Sequence, residues 1–189
     1  MAAVAADADL GRLFEAVAAA ASGRGPSPVH LWNPAVCGEI DLRIASDGTW
    51  FHEGSPIGRP ALVRLFSTVL RRDADGFWLV TPVEKLRIEV EDAPFVAIGL
   101  QQDAGVISFA TNVGDVVEAG PEHPIRVETD AGGAPRPYVR VRGGLDALIS
   151  RPVFYELVSI GEERPGEGGR RLAVASNGCW FDLGALEGA

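Results

Sequence analysis

Cysteine and histidine are scarce in this sequence. The 189 residues include two cysteines, Cys37 and Cys179. Two cysteines are too few for a disulfide scaffold, and they lack the Cys-x-x-Cys spacing of a zinc or thioredoxin-like site. The three histidines, at positions 30, 52 and 123, are too far apart in the sequence to indicate a metal cage. We therefore expect no metal ion and no other cofactor.

Known catalytic signatures are also missing. The sequence has no phosphate-binding Gly-x-x-x-x-Gly-Lys, no dinucleotide-binding Gly-x-Gly-x-x-Gly, no His-Glu-x-x-His and no Gly-x-Ser-x-Gly. It therefore names no reaction, and it favours a non-catalytic protein without excluding an enzyme.

Positive charge and long apolar runs are lacking as well. Seventeen basic residues against 26 acidic ones give a net charge of −9, which makes nucleic acid a poor partner because phosphate binding needs clustered cations. The longest apolar run near the N-terminus, residues 16–21, is too short to cross a bilayer, and no basic leader precedes it. We expect a cytoplasmic protein with no membrane insertion.

The residues that are present predict an α+β protein, since 47% of them are hydrophobic and they alternate in short runs between Gly and Pro clusters. We predict two strand-rich halves, residues 1–103 and 104–189, each with antiparallel sheets and one or two helices. The predicted helices cover residues 9–22, a segment that starts at Arg59-Pro60, and residues 144–149 and 152–160.

A β-hairpin is predicted over residues 39–54, because Asp47-Gly48 between alternating apolar residues is a strong signal for a two-residue turn. In that register Arg43 lies opposite His52, and Ala45 lies opposite Trp50. One face of the hairpin is then an apolar core face that consists of Ile40, Leu42, Ile44 and Phe51. The other face carries Asp41, Arg43, Trp50 and His52.

An internal duplication is indicated by a second stretch of similar sequence. Residues 43–54 align without a gap with residues 173–184, which contain Asn-Gly in place of Asp-Gly. In the second stretch Ala173 and Asp182 replace the arginine and the histidine, whereas Trp180 matches the first tryptophan. We therefore expect both tryptophans to be packing residues and the charged pair to serve a function in the first copy only.

A second repeated feature is the Arg-Pro pair at the start of a helix. Arg59-Pro60 and Arg151-Pro152 each precede an apolar helical pattern, and Pro is well tolerated in a first helical turn. However, the helix follows the hairpin in the first copy and precedes it in the second. A plain tandem duplication does not account for this difference.

The predicted functional site lies where the hairpin meets the Arg59-Pro60 helix. A helix N-terminus attracts anions, and Arg43, His52 and Arg59 would add positive charge. A helix end and two charge-assisted hydrogen bonds contribute about 5 kcal/mol, which corresponds to only about millimolar affinity. A tight ligand would need an aromatic part as well, so we expect a nucleotide-like anion between the two halves. The candidate ligand-binding residues are Trp32, Asn33, Asp41, Arg43, Trp50, His52, Ser55 and Arg59.

Structural explanations exist for the same residues. Arg43 can pair with Asp41 on an exposed sheet face, His52 can be an ordinary strand residue, and Trp50 can be buried. Trp32-Asn33 can anchor a loop. We expect three further arginines, Arg64, Arg71 and Arg72, to lie on a solvated helix face.

Two other functions stay open beside small-molecule sensing. The chain can be a protein–protein interaction module that uses a strand edge or an apolar patch. Less favoured is a hydrolase-type enzyme in which His52 is a general base oriented by Asp41.

Several motifs carry a resemblance to a known family. They are Leu31-Trp32-Asn33-Pro34, Cys37-Gly38-Glu39-Ile40-Asp41, Asp47-Gly48-Thr49-Trp50-Phe51, Gly54-Ser55-Pro56-Ile57-Gly58, Thr81-Pro82-Val83-Glu84-Lys85 and Glu91-Asp92-Ala93-Pro94-Phe95. With them the chain resembles the bacterial family of domain of unknown function 1285. The resemblance implies a duplicated architecture, a second half loosely like pleckstrin-homology domains, and a nucleotide-type ligand site between the halves with a role in signalling. It implies no established activity.

Overall fold

The computed structural model describes residues 10–21 and 25–186 of the chain. The chain divides into two compact units between Pro94 and Phe95. The boundary predicted between residues 103 and 104 lies farther along the chain, at the turn of a hairpin whose two strands both follow Pro94. The division falls before that hairpin because its strands pair with each other.

The first unit is a six-stranded sheet with two helices among its described residues. Its elements are α1 (Leu10–Ala20), a 3₁₀ turn (Val29–Leu31), β1 (Val36–Ile44), β2 (Trp50–His52), β3 (Ser55–Pro56), α2 (Pro60–Ser67), β4 (Leu70–Asp73), β5 (Gly76–Val80) and β6 (Glu84–Val90). The predicted helix at 9–22 is confirmed as α1, whereas Asp9 and Ser22 lie outside the described residues. Arg59 is the N-cap residue of α2, with Pro60 in its first turn.

The strand order of this first sheet is β3-β2-β1-β6-β5-β4. All neighbours are antiparallel except the central pair, β1 and β6, which is parallel. The predicted antiparallel pairing is therefore confirmed for the outer strands, while the central pair is parallel. A parallel pair requires a long crossover connection, and here the intervening strands and α2 supply it.

The second unit contains a six-stranded sheet, one described helix and a smaller third sheet. Its elements are β7 (Phe95–Asp103), β8 (Val106–Thr111), β9 (Val116–Glu118), β10 (Ile125–Thr129), β11 (Pro135–Arg142), β12 (Leu145–Ile149), α3 (Arg151–Ser159), β13 (Glu162–Gly166), β14 (Gly169–Ser176) and β15 (Cys179–Ala185). The strand orders are β10-β11-β12-β7-β8-β9 and β13-β14-β15.

The segment predicted as a helix at residues 144–149 is strand β12 instead. Gly143 and Gly144 both adopt positive φ, 50° and 79°, and they form a two-residue turn that pairs Arg142 with Leu145. A pair of glycines reaches this left-handed geometry without steric cost. The glycines therefore turn the chain back into the sheet before α3 begins.

Both units contain the same sheet topology, which confirms the internal duplication and the α+β class. In the second unit β7 and β12 form the central parallel pair, with β8 and β9 on one side and β11 and β10 on the other. Numbered along the chain within each unit, both sheets therefore have the order 3-2-1-6-5-4. The repeated part is the six-stranded sheet.

The similar hairpins that suggested the duplication are not equivalent. Residues 43–54 belong to the first six-stranded sheet, whereas residues 173–184 form β14 and β15 of the third sheet. In the described chain the first unit has no counterpart of that third sheet. This explains the reversed order of helix and hairpin: α2 lies between the third and fourth strands of its sheet, and α3 follows the sixth.

A pleckstrin-homology fold is not confirmed for the second unit. Its main sheet has a parallel central pair, and three more strands follow α3, so that this helix does not end the described fold.

The register of the β1–β2 hairpin differs from the predicted one by one residue. Ile44 lies opposite Trp50, Arg43 opposite Phe51, and Leu42 opposite His52. Ala45 and Thr49 close a three-residue loop through a backbone hydrogen bond of 2.9 Å, and Gly48 has a φ of 84°.

This geometry is that of a type I turn followed by a left-handed glycine. The side chain of Asp47 supports it by accepting a hydrogen bond of 2.9 Å from the Thr49 N–H, and the same contact lowers the pKa of Asp47. The extra loop residue moves every β2 side chain to the face opposite the predicted one.

In the second hairpin the predicted register is confirmed from Ser176 back to Ala173, where a bulge shifts the pairing by one residue. Asn177 and Gly178, with φ of 48° and 74°, form a two-residue turn that places Ala175 opposite Trp180. The two tryptophans consequently differ: Trp50 is buried, 1% exposed, whereas Trp180 is 43% exposed. The core of the first unit includes Trp50 with Ile44 and Phe66, and that of the second includes Phe95, Phe109 and Leu157.

Candidate functional site

The residues of the predicted anion site do not come together on one surface. Arg43 shares a face with Phe51, while His52 lies opposite Leu42 on the face that contributes the core. The guanidinium and the imidazole therefore project from opposite sides of the sheet, and the predicted pairing of Arg43 with His52 is wrong. Asp41 follows the orientation of Arg43, so it is not placed to orient His52 as a general base.

Arg43 is already neutralised. Its guanidinium forms an ion pair with Glu91 and lies 4.4 Å from the centre of the Phe51 ring. The second carboxylate oxygen of Glu91 accepts a hydrogen bond of 2.9 Å from the Ser46 N–H. This arrangement fixes the turn region to the end of β6 and leaves little positive charge for an anionic ligand.

Trp50 is a core residue and offers no surface for stacking on a ligand. Its ring stacks against Phe66 of α2, with ring centres 6.5 Å apart and planes inclined by 26°. Burial of an aromatic side chain of this size is one of the largest single contributions to a small core.

The remaining predicted residues lie outside the groove described below. Trp32 is half-buried, and its carbonyl accepts a hydrogen bond from Arg71. Asn33, Ser55 and Arg59 are exposed. Of the eight predicted residues, only Asp41 lines that groove.

An open groove of about 390 Å³ runs along the junction of β1 and β6. It forms where the parallel pairing is interrupted. Glu39 pairs with Arg87, and the next paired residues are Arg43 and Glu89. Three residues of β1 therefore lie opposite one residue of β6, and such bulges bend a strand and redirect its side chains. The lining consists of Glu39, Ile40, Asp41, Leu42, Gly76, Phe77, Arg87, Ile88, Glu89 and Val90.

The groove is predominantly negative. Three carboxylates, those of Glu39, Asp41 and Glu89, are exposed around it. Within residues 10–21 and 25–186 these three side chains form neither an ion pair nor a hydrogen bond. Like charges that face one groove without partners raise each other's energy, and a bound cation would relieve that repulsion.

Among the described lining residues there is one cation, Arg87, and other contacts hold its guanidinium in place. Arg87 donates a hydrogen bond of 2.7 Å to the carbonyl oxygen of Asp75 and lies 5.7 Å from the centre of the Trp78 ring. Its charge therefore balances only part of the negative charge in the groove.

A metal centre is not indicated by these carboxylates. In the part of the chain that the structure describes, no three His, Cys, Asp or Glu side chains are grouped so as to hold a metal ion. A ligand with several separated N–H donors suits such dispersed acceptors better than a bare ion does.

Sequence reasoning missed Glu39, Arg87 and Glu89 as site residues. The alternation of Arg87 and Glu89 with buried Leu86 and Ile88 predicts an outward-facing strand. It gives no signal, however, that β6 lies beside β1 or that the pairing breaks next to Asp41.

Comparison with known proteins identifies the family. The model described as domain of unknown function (DUF1285), N-terminal domain, matches residues 27–93. The model described as protein of unknown function (DUF1285), C-terminal domain, matches residues 94–183. The chain belongs to the DUF1285 family. The boundary between the two matches coincides with the division of the structure near Pro94.

Two solved structures are similar. The crystal structure of a DUF1285 family protein from Silicibacter pomeroyi DSS-3 is 49% identical, with a TM-score of 0.83 over 96% of this chain and 97% of that one. The crystal structure of a DUF1285 family protein from Shewanella baltica OS155 is 23% identical, with a TM-score of 0.52 over 64% of this chain and 91% of that one, and supports the fold alone. No curated protein matches the chain. Among the described helices, none has the length and apolar character needed to cross a bilayer.

Proposed function

We propose that the protein binds a small organic cation in the groove between β1 and β6. The observation that supports the proposal is the set of three carboxylates, from Glu39, Asp41 and Glu89, that surround this groove without partners in the described chain. Small-molecule binding agrees with the class of function expected from the sequence. The negative charge of the groove favours a cationic ligand over the anionic ligand that we expected from the sequence.

The groove suggests the size and chemistry of the ligand. A volume of about 390 Å³ lies at the lower end of the range for small-molecule sites. The lining also includes apolar residues, among them Ile40, Phe77 and Val90, which offer apolar atoms to a short carbon chain. A primary amine or guanidinium on such a chain matches both the charge and the walls.

The expected affinity is modest. Two charge-assisted hydrogen bonds contribute about 4 kcal/mol in total, which corresponds to a dissociation constant of about 1 mM. Apolar contacts of a carbon chain would tighten binding further. A role in signalling would then depend on whether the groove is occupied by its ligand, and not on catalytic turnover.

The proposal can be tested with 1,4-diaminobutane and its uncharged analogue 1,4-butanediol, which share a carbon chain. We expect the diamine to shift the backbone amide resonances of residues 39–42 and 87–90, and the diol to leave them unchanged. Asp41→Asn should weaken diamine binding about tenfold, because it removes one charged acceptor. Glu15→Gln, which removes an exposed carboxylate on α1, is the matched control and should have no effect. Equal shifts from diamine and diol, or equal weakening by both variants, would disprove the proposal.

A further inference from the structure

A second cavity, of about 280 Å³, lies in the second unit between β11, β12 and the first turns of α3. It is separate from the groove of the proposed function, and none of its lining residues belongs to the first unit. Most of its wall is apolar, with Pro135, Pro137, Leu148 and Phe154 as the main contributors.

The charge of this cavity is opposite to that of the whole chain. Among the described residues that line it there are two arginines, Arg136 and Arg151, and no carboxylate, although the chain has 26 acidic residues and 17 basic ones. Positive groups beside a low-dielectric wall concentrate the local potential. The cavity is therefore a cationic site in an acidic protein.

The two arginines are held differently. Arg136 donates a hydrogen bond of 3.2 Å from its Nε to the hydroxyl of Tyr138, which positions its guanidinium. Arg151 is exposed and has no hydrogen-bond or ion-pair partner within the described residues. A guanidinium without a partner, beside an apolar wall, retains all its donors for a ligand.

An exposed aromatic ring completes the site. Tyr155 follows Arg151 by one helical turn, so the two side chains lie on the same side of α3. The side chain of Tyr155 lines the cavity and is 60% exposed. Tyrosines combine apolar contact area with a polar tip and are frequent in binding surfaces for that reason.

We propose that this cavity binds a small organic carboxylate with an aromatic or branched apolar body. A guanidinium binds a carboxylate through two parallel hydrogen bonds, and the apolar wall accommodates the body. A doubly charged phosphate would lose more solvation against the same wall. The volume of about 280 Å³ suits a ligand of one ring or a short branched chain.

The test uses the full chain and phenylacetate, with phenylacetamide as the uncharged probe of nearly the same shape. Binding is followed by the backbone amide resonances of residues 134–137 and 148–155 and by calorimetry. We expect phenylacetate to bind at least tenfold more tightly than phenylacetamide, because the amide lacks the charge. Inorganic phosphate, which has no apolar body, should bind more weakly than phenylacetate.

Variants distinguish specific binding in this cavity from a general attraction of the anion to arginines elsewhere on the protein. Arg151→Gln should weaken phenylacetate binding about tenfold. Arg64→Gln removes an exposed arginine of the first unit and should leave the affinity unchanged. Leu148→Phe reduces the cavity without changing charge and should weaken phenylacetate binding while sparing the response of the first-unit groove to 1,4-diaminobutane.

Three results would overturn the inference. They are equal affinities for phenylacetate and phenylacetamide, equal effects of Arg151→Gln and Arg64→Gln, and absence of any resonance shift at about 10 mM phenylacetate, where a ligand of even millimolar affinity saturates. Each result can be obtained whether or not the groove of the first unit binds cations. The test of the carboxylate site is therefore independent of the test of the cation site.

Discussion

The guanidinium of Arg71 donates a hydrogen bond of 2.7 Å to the carbonyl oxygen of Trp32. The same guanidinium donates a hydrogen bond of 3.0 Å to the carbonyl of Val29 and lies 2.9 Å from a carboxylate oxygen of Asp73. Arg71 is in strand β4 rather than on a helix face, and its side chain is only 15% exposed. It joins the segment around the 3₁₀ turn to the edge of the first sheet.

Arg71→Met should lower the free energy of unfolding by about 2 kcal/mol, because two carbonyl groups lose their charged donor while the apolar stem is kept. Urea denaturation measures the change. Amide hydrogen exchange should also accelerate at residues 29–33. Arg64→Met, on an exposed position of α2, serves as the control and should change stability by less than about 0.5 kcal/mol.

The carboxylate of Asp73 makes the stability of the first unit sensitive to acid. Burial raises the pKa of Asp73, but hydrogen bonds from Arg71 and Lys85 outweigh burial and lower it below the ordinary value of 3.8. The folded state therefore binds this proton less readily than the unfolded state does. The resulting stability is fully present above the unfolded pKa and is lost as the pH falls through the lower, folded pKa.

Asp73→Asn should remove this contribution. The difference in unfolding free energy between the original protein and the variant should be constant near neutral pH and should shrink as the pH falls below about 4. Urea titrations across this range measure it. A difference that stays constant into strong acid would show that Asp73 does not have a lowered pKa in the folded protein.

The two tryptophans of the similar hairpins should respond differently to truncation. Trp50 is 1% exposed and Trp180 is 43% exposed. Trp50→Ala should cost about 4 kcal/mol, as expected for removal of a buried aromatic side chain. Trp180→Ala should cost about 1 kcal/mol, mainly from the loss of its contact with Arg164, whose guanidinium carbon lies 3.7 Å from the ring centre. Similar losses in chemical denaturation would contradict the register described for β2.

Ser176 is a buried polar link inside the second unit. Its hydroxyl accepts a hydrogen bond of 2.9 Å from the Ile107 N–H and donates one of 2.7 Å to the carbonyl of Ala119. Its side chain is fully buried. Ser176→Ala should therefore destabilise the protein by about 2 kcal/mol, because the buried Ile107 N–H loses its partner. The carbonyl of Ala119 keeps a second hydrogen bond, of 2.9 Å, from the Asn177 side chain. Ser159→Ala, at an exposed hydroxyl, should have a much smaller effect in the same thermal or urea melts.

Local sequence patterns were sufficient to predict much of the fold. The alternation through Leu86 and Ile88 predicts β6, the period of Leu13 and Val17 predicts α1, and Asn177-Gly178 predicts a two-residue turn. Each of these signals lies within a few residues of the element that it specifies. Such patterns reflect side-chain periodicity and turn geometry, which act locally.

The site depended on two features that are not local. One extra loop residue at Gly48 reversed the face on which Trp50, Phe51 and His52 lie, and Asp-Gly is compatible with either loop length. The pairing of β1 with β6 joins segments that are distant in the sequence. Neither the residues that lie near Asp41 across that junction nor the break in the pairing could be predicted from residue types alone.

The central parallel pair of each six-stranded sheet also has a consequence for the order of assembly. The outer strands on each side of this pair are neighbours in the chain as well as in the sheet. Their contacts therefore form after the closure of short loops. β1 with β6, and β7 with β12, must wait until remote segments meet, and closing such long loops is entropically slow. We expect this late pairing to set the refolding rate of each unit. Substitutions in the central parallel pair should therefore slow refolding more than substitutions in the outer strands do.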